Sequence, residues 1–286
     1  MTAHARLALL ASRVRADERR IMAALERHGV PYEQVDTRML HGGSGTPRWP
    51  VVLNREIGSV RARYAAWTLE AEGSRLVNSA HAIEVCSDKW RTSLALAAAG
   101  LPTPRTAIAM TPAACLAALD EVGYPAVLKP VAGSWGRLVT KLETRAEAVT
   151  VLEYVAALTG PQAHLGYVQS FVASAGRHIR VIVVGGEALG ASHHQGEGWR
   201  TNVAQGGRCT RGELSPELAK LAVAATEAVG AELAGVDIIE DPDGQQLVLE
   251  VNAGVEFSGF QQAHGADVDV ADHIVEYAMA AMADAC

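Results

Sequence analysis

Rhythm constrains this chain before anything else. Between residues 6 and 77, short apolar runs alternate with helix-length stretches, and then the alternation stops. Arg6 to Leu10 reads as a strand. A helix capped by Asp17 follows, with Ile21, Met22 and Leu25 on one face and an end at His28-Gly29. Trp49 to Leu53 is a second strand, Ser59 caps a second helix carrying Tyr64, Ala65 and Leu69, and Arg75 to Val77 is a third strand. Strands that alternate with helices predict a small parallel sheet covered on both faces.

Two helices are expected between Ser79 and Gly100, the second capped by Ser87. Beyond Pro102 the texture changes. Strands at Thr106 to Met110, Ala126 to Pro130 and Arg137 to Leu142, with helices opening at Thr111-Pro112 and near Arg145, make a compact α+β lobe. The remainder reads as mostly antiparallel. Strands Tyr167 to Val172, Ile179 to Val184 and Ala188 to Ser192 precede a helix from Ser215-Pro216 to Gly230. A hairpin of Ala234 to Ile239 and Leu247 to Val251 then folds around Asp241-Pro242-Asp243-Gly244, and a terminal helix starts at Asp269. The expected architecture is α/β with three lobes, bounded at residues 1–100, 101–172 and 173–286.

Composition excludes several function classes. Hydrophobic residues are 49% and charged residues 20% of 286, an ordinary globular balance. A net charge of −7 argues against nonspecific nucleic-acid binding, which needs a basic surface. No apolar run approaches the roughly 20 residues of a membrane span, and Leu7 to Leu10 is too short for a signal-peptide core. Cys86, Cys115, Cys209 and Cys286 form no C-x-x-C pair, which points to a reducing cytoplasm. Of 25 basic residues only Lys89, Lys129, Lys141 and Lys220 are lysines. A lysine that survives such arginine bias is a weak pointer to a compact ammonium that arginine cannot replace.

Three segments carry chemistry. A hairpin centred between Pro242 and Asp243 sets Asp237 opposite Val248 and makes Glu250 its diagonal neighbour, with Asn252 next along the same face. Two carboxylates and an amide oxygen on one face suit Mg²⁺; the same pattern also fits a solvated strand face. Leu128-Lys129-Pro130, followed by Gly133-Ser134-Trp135-Gly136-Arg137, sets a strand-end ammonium before a glycine-containing turn able to cover phosphates. It is not a Walker A loop, and a plain hairpin explains it equally. Lys89, in the first turn of a Ser87-capped helix, opposes the helix dipole and so suggests a bound anion, or an exposed lysine with its head in water.

Taken together, Asp88-Lys89, Leu128-Lys129-Pro130, Gly133 to Gly136, Ile179-Arg180-Val181, Asn202, Gly206-Gly207, Asp237 and Glu250-Val251-Asn252 resemble the ATP-grasp superfamily in its RimK-like branch. Ala82 to Trp90, Gly133 to Leu138, Arg15 to Glu18 and Glu256-Phe257 are closest to the LysX-type ligases. The resemblance implies an ATP-grasp fold behind a small N-terminal domain, and a carboxylate–amine ligase using ATP and two Mg²⁺ ions, with Mn²⁺ as a substitute. It implies ATP contacts at Lys89, Lys129, Gly133, Ser134, Trp135 and Gly136, and at the hinge Gln169, Ser170, Phe171 and Val172. Asp237, Glu250 and Asn252 become metal ligands, and Arg180, Arg200 and Asn202 stabilise the phosphate and acyl phosphate. Substrate contacts fall on His194, Gly206, Gly207, Glu256, Phe257 and Ser258.

The substrates implied are 2-aminoadipate or glutamate and the C-terminal Glu of a small acidic LysW-like carrier protein. No nucleic acid or membrane is involved, and the chain is expected to be a homo-oligomer, a dimer or tetramer. An acidic carrier needs a basic surface, for which Arg55, Arg61 and Arg63, or Arg177, Arg200, Arg208 and Arg211, are candidates. Val255, Phe257 and Phe260 are expected either to shape an amino-acid pocket or to anchor the core. The sequence departs from the family pattern at Ser170, where a ribose-binding Glu is usual, at His178, where Asp is usual, and at His194-Gln195, where a basic pair is usual. Two other readings stand beside the first: a RimK-type ligase acting on a peptide or small acid, and a noncatalytic nucleotide-binding module.

Overall fold

The computed structural model describes residues 6–43, 45–133, 138–174, 176–196, 199 and 208–284. Its first unit is a parallel sheet in the order β2-β1-β3-β4, formed by β1 (Leu7–Leu10), β2 (Tyr32–Val35), β3 (Val51–Asn54) and β4 (Arg75–Val77). The central strands β1 and β3 are buried on both faces, and their residues divide by parity. Leu7, Leu9, Val51 and Leu53 enter one core, while Ala8, Leu10 and Val52 enter another with Trp49 and Leu69. Helices α1 (Ala16–Arg27) and α2 (Ser59–Ala71) are its crossovers. The edge strand β2, Tyr-Glu-Gln-Val, has no apolar run to announce it.

Helices α3 (Ala80–Cys86) and α4 (Lys89–Ala98) lead to an antiparallel sheet, β5-β8-β6-β7. Its strands are β5 (Thr106–Ala109), β6 (Ala126–Lys129), β7 (Thr140–Leu142) and β8 (Gly166–Ser170), backed by α5 (Pro112–Val122) and α6 (Arg145–Ala156). The third sheet, β11-β10-β9-β12-β13, is also antiparallel. It comprises β9 (Arg177–Val184), β10 (Glu187–Gln195), β11 (Arg208–Gly212), β12 (Leu233–Glu240) and β13 (Gln246–Asn252). Helix α7 (Pro216–Ala228) covers one of its faces, with Leu218, Ala222 and Ala225 against Val181, Val236 and Val251.

The opposite face is divided along its length. Ile182, Val184 and Leu233 join Leu7, Leu9 and Val51 in one core, closed by Phe257, Phe260 and α9 (Val270–Asp284). The first and third units therefore share a core rather than touching at a polar seam. Toward the other end, the same face of β9 and β12 carries His178, Arg180 and Asp237. One face thus anchors the N-terminal unit and displays polar groups beside it.

Several local expectations need correcting. Asp88, not Ser87, caps α4, accepting hydrogen bonds from the Trp90 and Arg91 amides (2.9 and 3.1 Å); Ser87 closes α3. Arg15 stands at the N-cap of α1, which leaves Asp17 inside the helix. The strand expected from Tyr167 ends at Ser170, before Phe171 and Val172. Helix α8 (Ser258–His264) and the short polar strand β11 have no counterpart in the sequence reading.

Candidate active site

The hairpin register brings the acidic residues closer than expected. The turn spans Asp241 to Gln245, held by Asp241 Oδ1 accepting from the Asp243 and Gln245 amides, so Glu240 pairs with Gln246. A bulge at Leu249 then advances the register by one, and Asp237 pairs directly with Glu250 instead of Val248. Asn252 pairs with Gly235, and its Nδ2 donates to Asp237 Oδ2 at 3.3 Å.

Like charges directly opposite each other destabilise a sheet unless something offsets them. Arg180, the partner of Asp237 on β9, donates from Nε and Nη2 to the two carboxylate oxygens at 2.6 and 2.7 Å. His178 Nε2 lies 3.6 Å from Asp237 Oδ1. Burial alone would push the Asp237 carboxyl up; Arg180 and then His178 outweigh it and hold that carboxyl well below the usual range. Glu250 has Lys89 Nζ at 3.4 Å. A row of charges, plus–minus–minus–plus, thus crosses three strands and ends on α4.

The two lysines converge on this row from the other units. Lys89 Nζ also donates to the Gly133 carbonyl (2.8 Å), and its amide bonds Val131 O, so the helix start grips the turn after β6. Lys129, at the end of β6, donates to Gln169 Oε1 at 2.6 Å, and Gln169 Nε2 in turn bonds Tyr167 OH. Burial pushes the Lys129 ammonium down to about 8, with Glu250 opposing the shift and Lys89 adding to it. Among the described residues its one hydrogen-bonding partner is a neutral amide, which leaves the cation ready for an anion. Beyond β8, Phe171 has Lys141 Nζ 3.9 Å above its ring and meets Trp199 edge-on.

Between the first and third units lies a cleft of about 190 Å³. Asn54, Ile57 and Ser59 line it on one side, and Glu250, Asn252 and Gly254 on the other, with Lys89 and Gly133 at the rim. The cleft stands directly beside the acidic row. Cys86 borders it too, but burial pushes its thiol up to about 12, so it offers no thiolate nucleophile. Among the described residues, no three of His, Cys, Asp and Glu gather around one point. The donor set is two carboxylates and one amide with lysines facing them, which fits a hard divalent ion shared with phosphate oxygens.

Two polar residues given no site role in the sequence reading set this geometry. Buried Asn78 donates to Leu233 O and Ala253 O and accepts from the Glu232 and Leu233 amides. Asp17 accepts from the Phe257 amide and the Ser258 hydroxyl. The segment after Asn252 is therefore pinned at both ends by the N-terminal unit. Asn78 belongs to no motif and no local signal marks it, whereas Asp17 lies in the Arg15 to Glu18 segment that carries part of the family resemblance.

The remaining expected site residues disperse. Phe257 is fully buried with Val255 and Phe260, so these three are core anchors. Ser258 is held by Asp17, and Glu256 pairs with Arg15. His194 stacks beside His178 at 4.8 Å and has Ser192 Oγ 3.2 Å from Nε2; burial, Arg180 and His178 push it down to about 3, so it is a neutral imidazole. Arg55 is buried against Glu18 and cannot meet a partner; Arg61 faces Glu56, Arg177 faces Glu240 and Arg211 faces Asp267. Ser134, Trp135, Gly136, Arg200, Asn202, Gly206 and Gly207 lie outside the described residues.

Comparison with known proteins finds matches to both parts of the chain. A LysX pre-ATP-grasp domain matches residues 7–85 and a RimK-like ATP-grasp domain matches residues 86–278. The chain is 33% identical to the glutamate–LysW ligase ArgX of Sulfolobus acidocaldarius, over 95% of this chain and 97% of that one. It is 34% identical to the α-aminoadipate–LysW ligase LysX of Saccharolobus solfataricus, over 72% and 75%. Among solved structures, a RimK domain ATP-grasp protein from Sphaerobacter thermophilus superposes with a TM-score of 0.78 at 27% identity, covering 96% of this chain and 99% of that one.

Proposed function

The chain belongs to the RimK-like ATP-grasp family of ligases, with a LysX-type pre-ATP-grasp domain ahead of it, and on that premise we propose its reaction. It joins the α-amino group of an acidic amino acid, glutamate or 2-aminoadipate, to the γ-carboxylate of the C-terminal Glu of a small acidic LysW-like carrier. The carboxylate takes the γ-phosphoryl group of ATP and releases ADP. The amine then attacks the acyl carbon, and inorganic phosphate leaves as the amide forms.

The chain's own residues position and neutralise rather than react. Lys129 and Lys89 receive the phosphates, and Lys89 keeps the Gly133 turn close to them. Gln169 to Val172 border the nucleotide base. Asp237, Glu250 and Asn252 would hold two Mg²⁺ ions, with Mn²⁺ as a substitute. When bound, these ions neutralise charge on the β- and γ-phosphates. Arg180 fixes Asp237 from β9. The carrier's terminal Glu enters between the first and third units. We read the protein as a cytoplasmic homo-oligomer, dimer or tetramer, in keeping with the free thiols of Cys86, Cys115 and Cys209.

One observation carries this reading: Lys89 touches both Gly133 and Glu250 at the rim of a cleft that reaches the carboxylate row. Intact-mass measurement tests it, using candidate acidic carriers ending in Glu with ATP, Mg²⁺ and a panel of amino acids. The expected product is one carrier plus one acidic residue, with one ADP per amide. ADP release with a free small acid or peptide, and none with any carrier, would move the chain to the RimK-type reading.

A further inference from the structure

Helix α1 turns two different faces to its surroundings. Ile21, Ala24 and Leu25 pack into the core shared by the first and third units, and Asp17 and Glu18 are buried on the same helix. The outward face carries arginine instead. Arg19, Arg20 and Arg27, with Ala16, Ala23 and Asp269, line a groove of about 390 Å³. Positions 16, 20, 23 and 27 follow the spacing of one helix stripe, so small side chains alternate with guanidinium groups along it.

Charge pairing sets this face apart. Exposed arginines elsewhere have carboxylates: Arg38 has Asp36, Arg145 has Asp120 and Arg211 has Asp267. Arg13, Arg19 and Arg20 are exposed and, among the described residues, pair with no carboxylate; Arg19 donates to the Val14 carbonyl at 3.1 Å. The acids of the same stretch are turned inward. Asp17 accepts from the Phe257 amide and Ser258, and Glu18 meets Arg15 and Arg55. Burial therefore removes the negative charges and leaves the positive ones outside. On a chain of net charge −7, such a patch orients an anionic partner.

The patch also begins at the site. The Ser12 amide bonds Glu56 of the cleft wall at 3.0 Å, and Arg15 pairs with Glu256, two positions past Gly254 of the opposite wall. Arg13 lies between Ser12 and Arg15 in the chain. From there the 12 residues of α1 extend for about 18 Å. That length suits a small folded partner whose chain end lies in the cleft. A nucleic acid would also meet the negative charge of the rest of the chain; a small protein meets this face alone.

We propose that the outward face of α1, with Arg13, Arg19 and Arg20, is the docking surface for an acidic protein whose C-terminal residue enters the cleft. This presupposes the reaction proposed above, in which that protein is the carrier.

Amide formation at varied carrier concentration tests it, using whichever Glu-terminated carrier the wild type modifies. Arg13→Glu with Arg20→Glu should raise the KM for carrier about tenfold, because charges at a rim govern encounter. The kcat at saturating carrier and the KM for ATP should not change. Added salt should raise the wild-type KM for carrier and hardly move that of the variant. Lys220→Glu on α7 controls for net charge and should alter none of these. Calorimetry with the same carrier lacking its C-terminal Glu reads docking apart from chemistry: the wild type should bind it, and the double variant should not. An unchanged KM for carrier and unchanged salt dependence in the double variant would overturn the docking face and leave the ligase reading standing. A wild type that acts only on free small acids would overturn both. Binding of duplex DNA or phosphatidylserine vesicles that the variant loses, with its KM for carrier unchanged, would assign the arginines to that polyanion instead. Arg13→Gln with Arg20→Gln keeps the test open should the charge reversal misfold.

Discussion

Asp237 and Glu250 face each other directly across the β12–β13 ladder, two carboxylates in one cross-strand pair. They are not equivalent, because each has a different cation. Asp237 is clamped by Arg180 in a largely buried fork, whereas Glu250 is one-third exposed and is met by Lys89 from another unit. The first is part of the sheet; the second is part of the cleft.

That difference separates two substitutions. Glu250→Gln should abolish ADP formation and leave the melting temperature nearly unchanged. Asp237→Asn should also abolish it, and in addition destabilise the protein by about 3 kcal/mol, because Arg180 is left without its anion. Thermal melts beside an ADP-release assay check this. Near-native turnover in Glu250→Gln at limiting Mg²⁺ would mean that the face is structural.

Lys129→Met and Lys89→Met should each weaken ATP binding about 10–100-fold, the cost of one charge-assisted contact. The two differ in pH dependence. Lys129 titrates near 8 in the free protein, against an ordinary 10.5, because of burial. A folded value below the unfolded one means the charged form costs stability below about 8, and that cost is relieved as pH rises toward 10.5. A phosphate reverses the preference, so ATP should bind with proton uptake at pH 8.5 and progressively more weakly above it. Calorimetry in two buffers of different ionisation enthalpy measures that uptake, which Lys129→Met should erase.

Phe257→Ala should cost about 3–5 kcal/mol of stability, the usual price of a cavity at a fully buried aromatic. Denaturant unfolding gives the number. A variant of normal stability with an altered preference among amino acids would return Phe257 to the substrate pocket.

Glutamate and 2-aminoadipate differ by one methylene, which a pocket discriminates by about 1–3 kcal/mol. Both should be accepted, with a 10–200-fold preference for one, about the range such a difference permits. Rates with these two, lysine and alanine on one carrier decide it; a basic or neutral amino acid winning outright would exclude an acidic donor.

What the sequence by itself determined was parity and order. Glu250 and Asn252 read as one face because side chains two apart on a strand point the same way, and that needs no knowledge of what packs behind them. Leu7, Leu9, Val51 and Leu53 divide from Ala8, Leu10 and Val52 for the same reason. Lys89 and Lys129 stood out because arginine displaces lysine almost everywhere else. What only the tertiary structure decided was register, depth and partnership. The turn, one residue longer than expected, and the bulge at Leu249 together move the register by two and convert a diagonal pair into a direct one, and nothing in Leu249 itself announces it. Arg55 and Phe257 look like surface charge and pocket wall until α1 and the third sheet close over them, from about 40 and 240 residues away in sequence. Asn78, an unremarkable polar residue, fixes the strand ends beside the site by four hydrogen bonds to residues over 150 positions distant. Local alternation is written in the chain's own covalent geometry; burial and pairing depend on which distant segments arrive, and that is settled only when the units share a core.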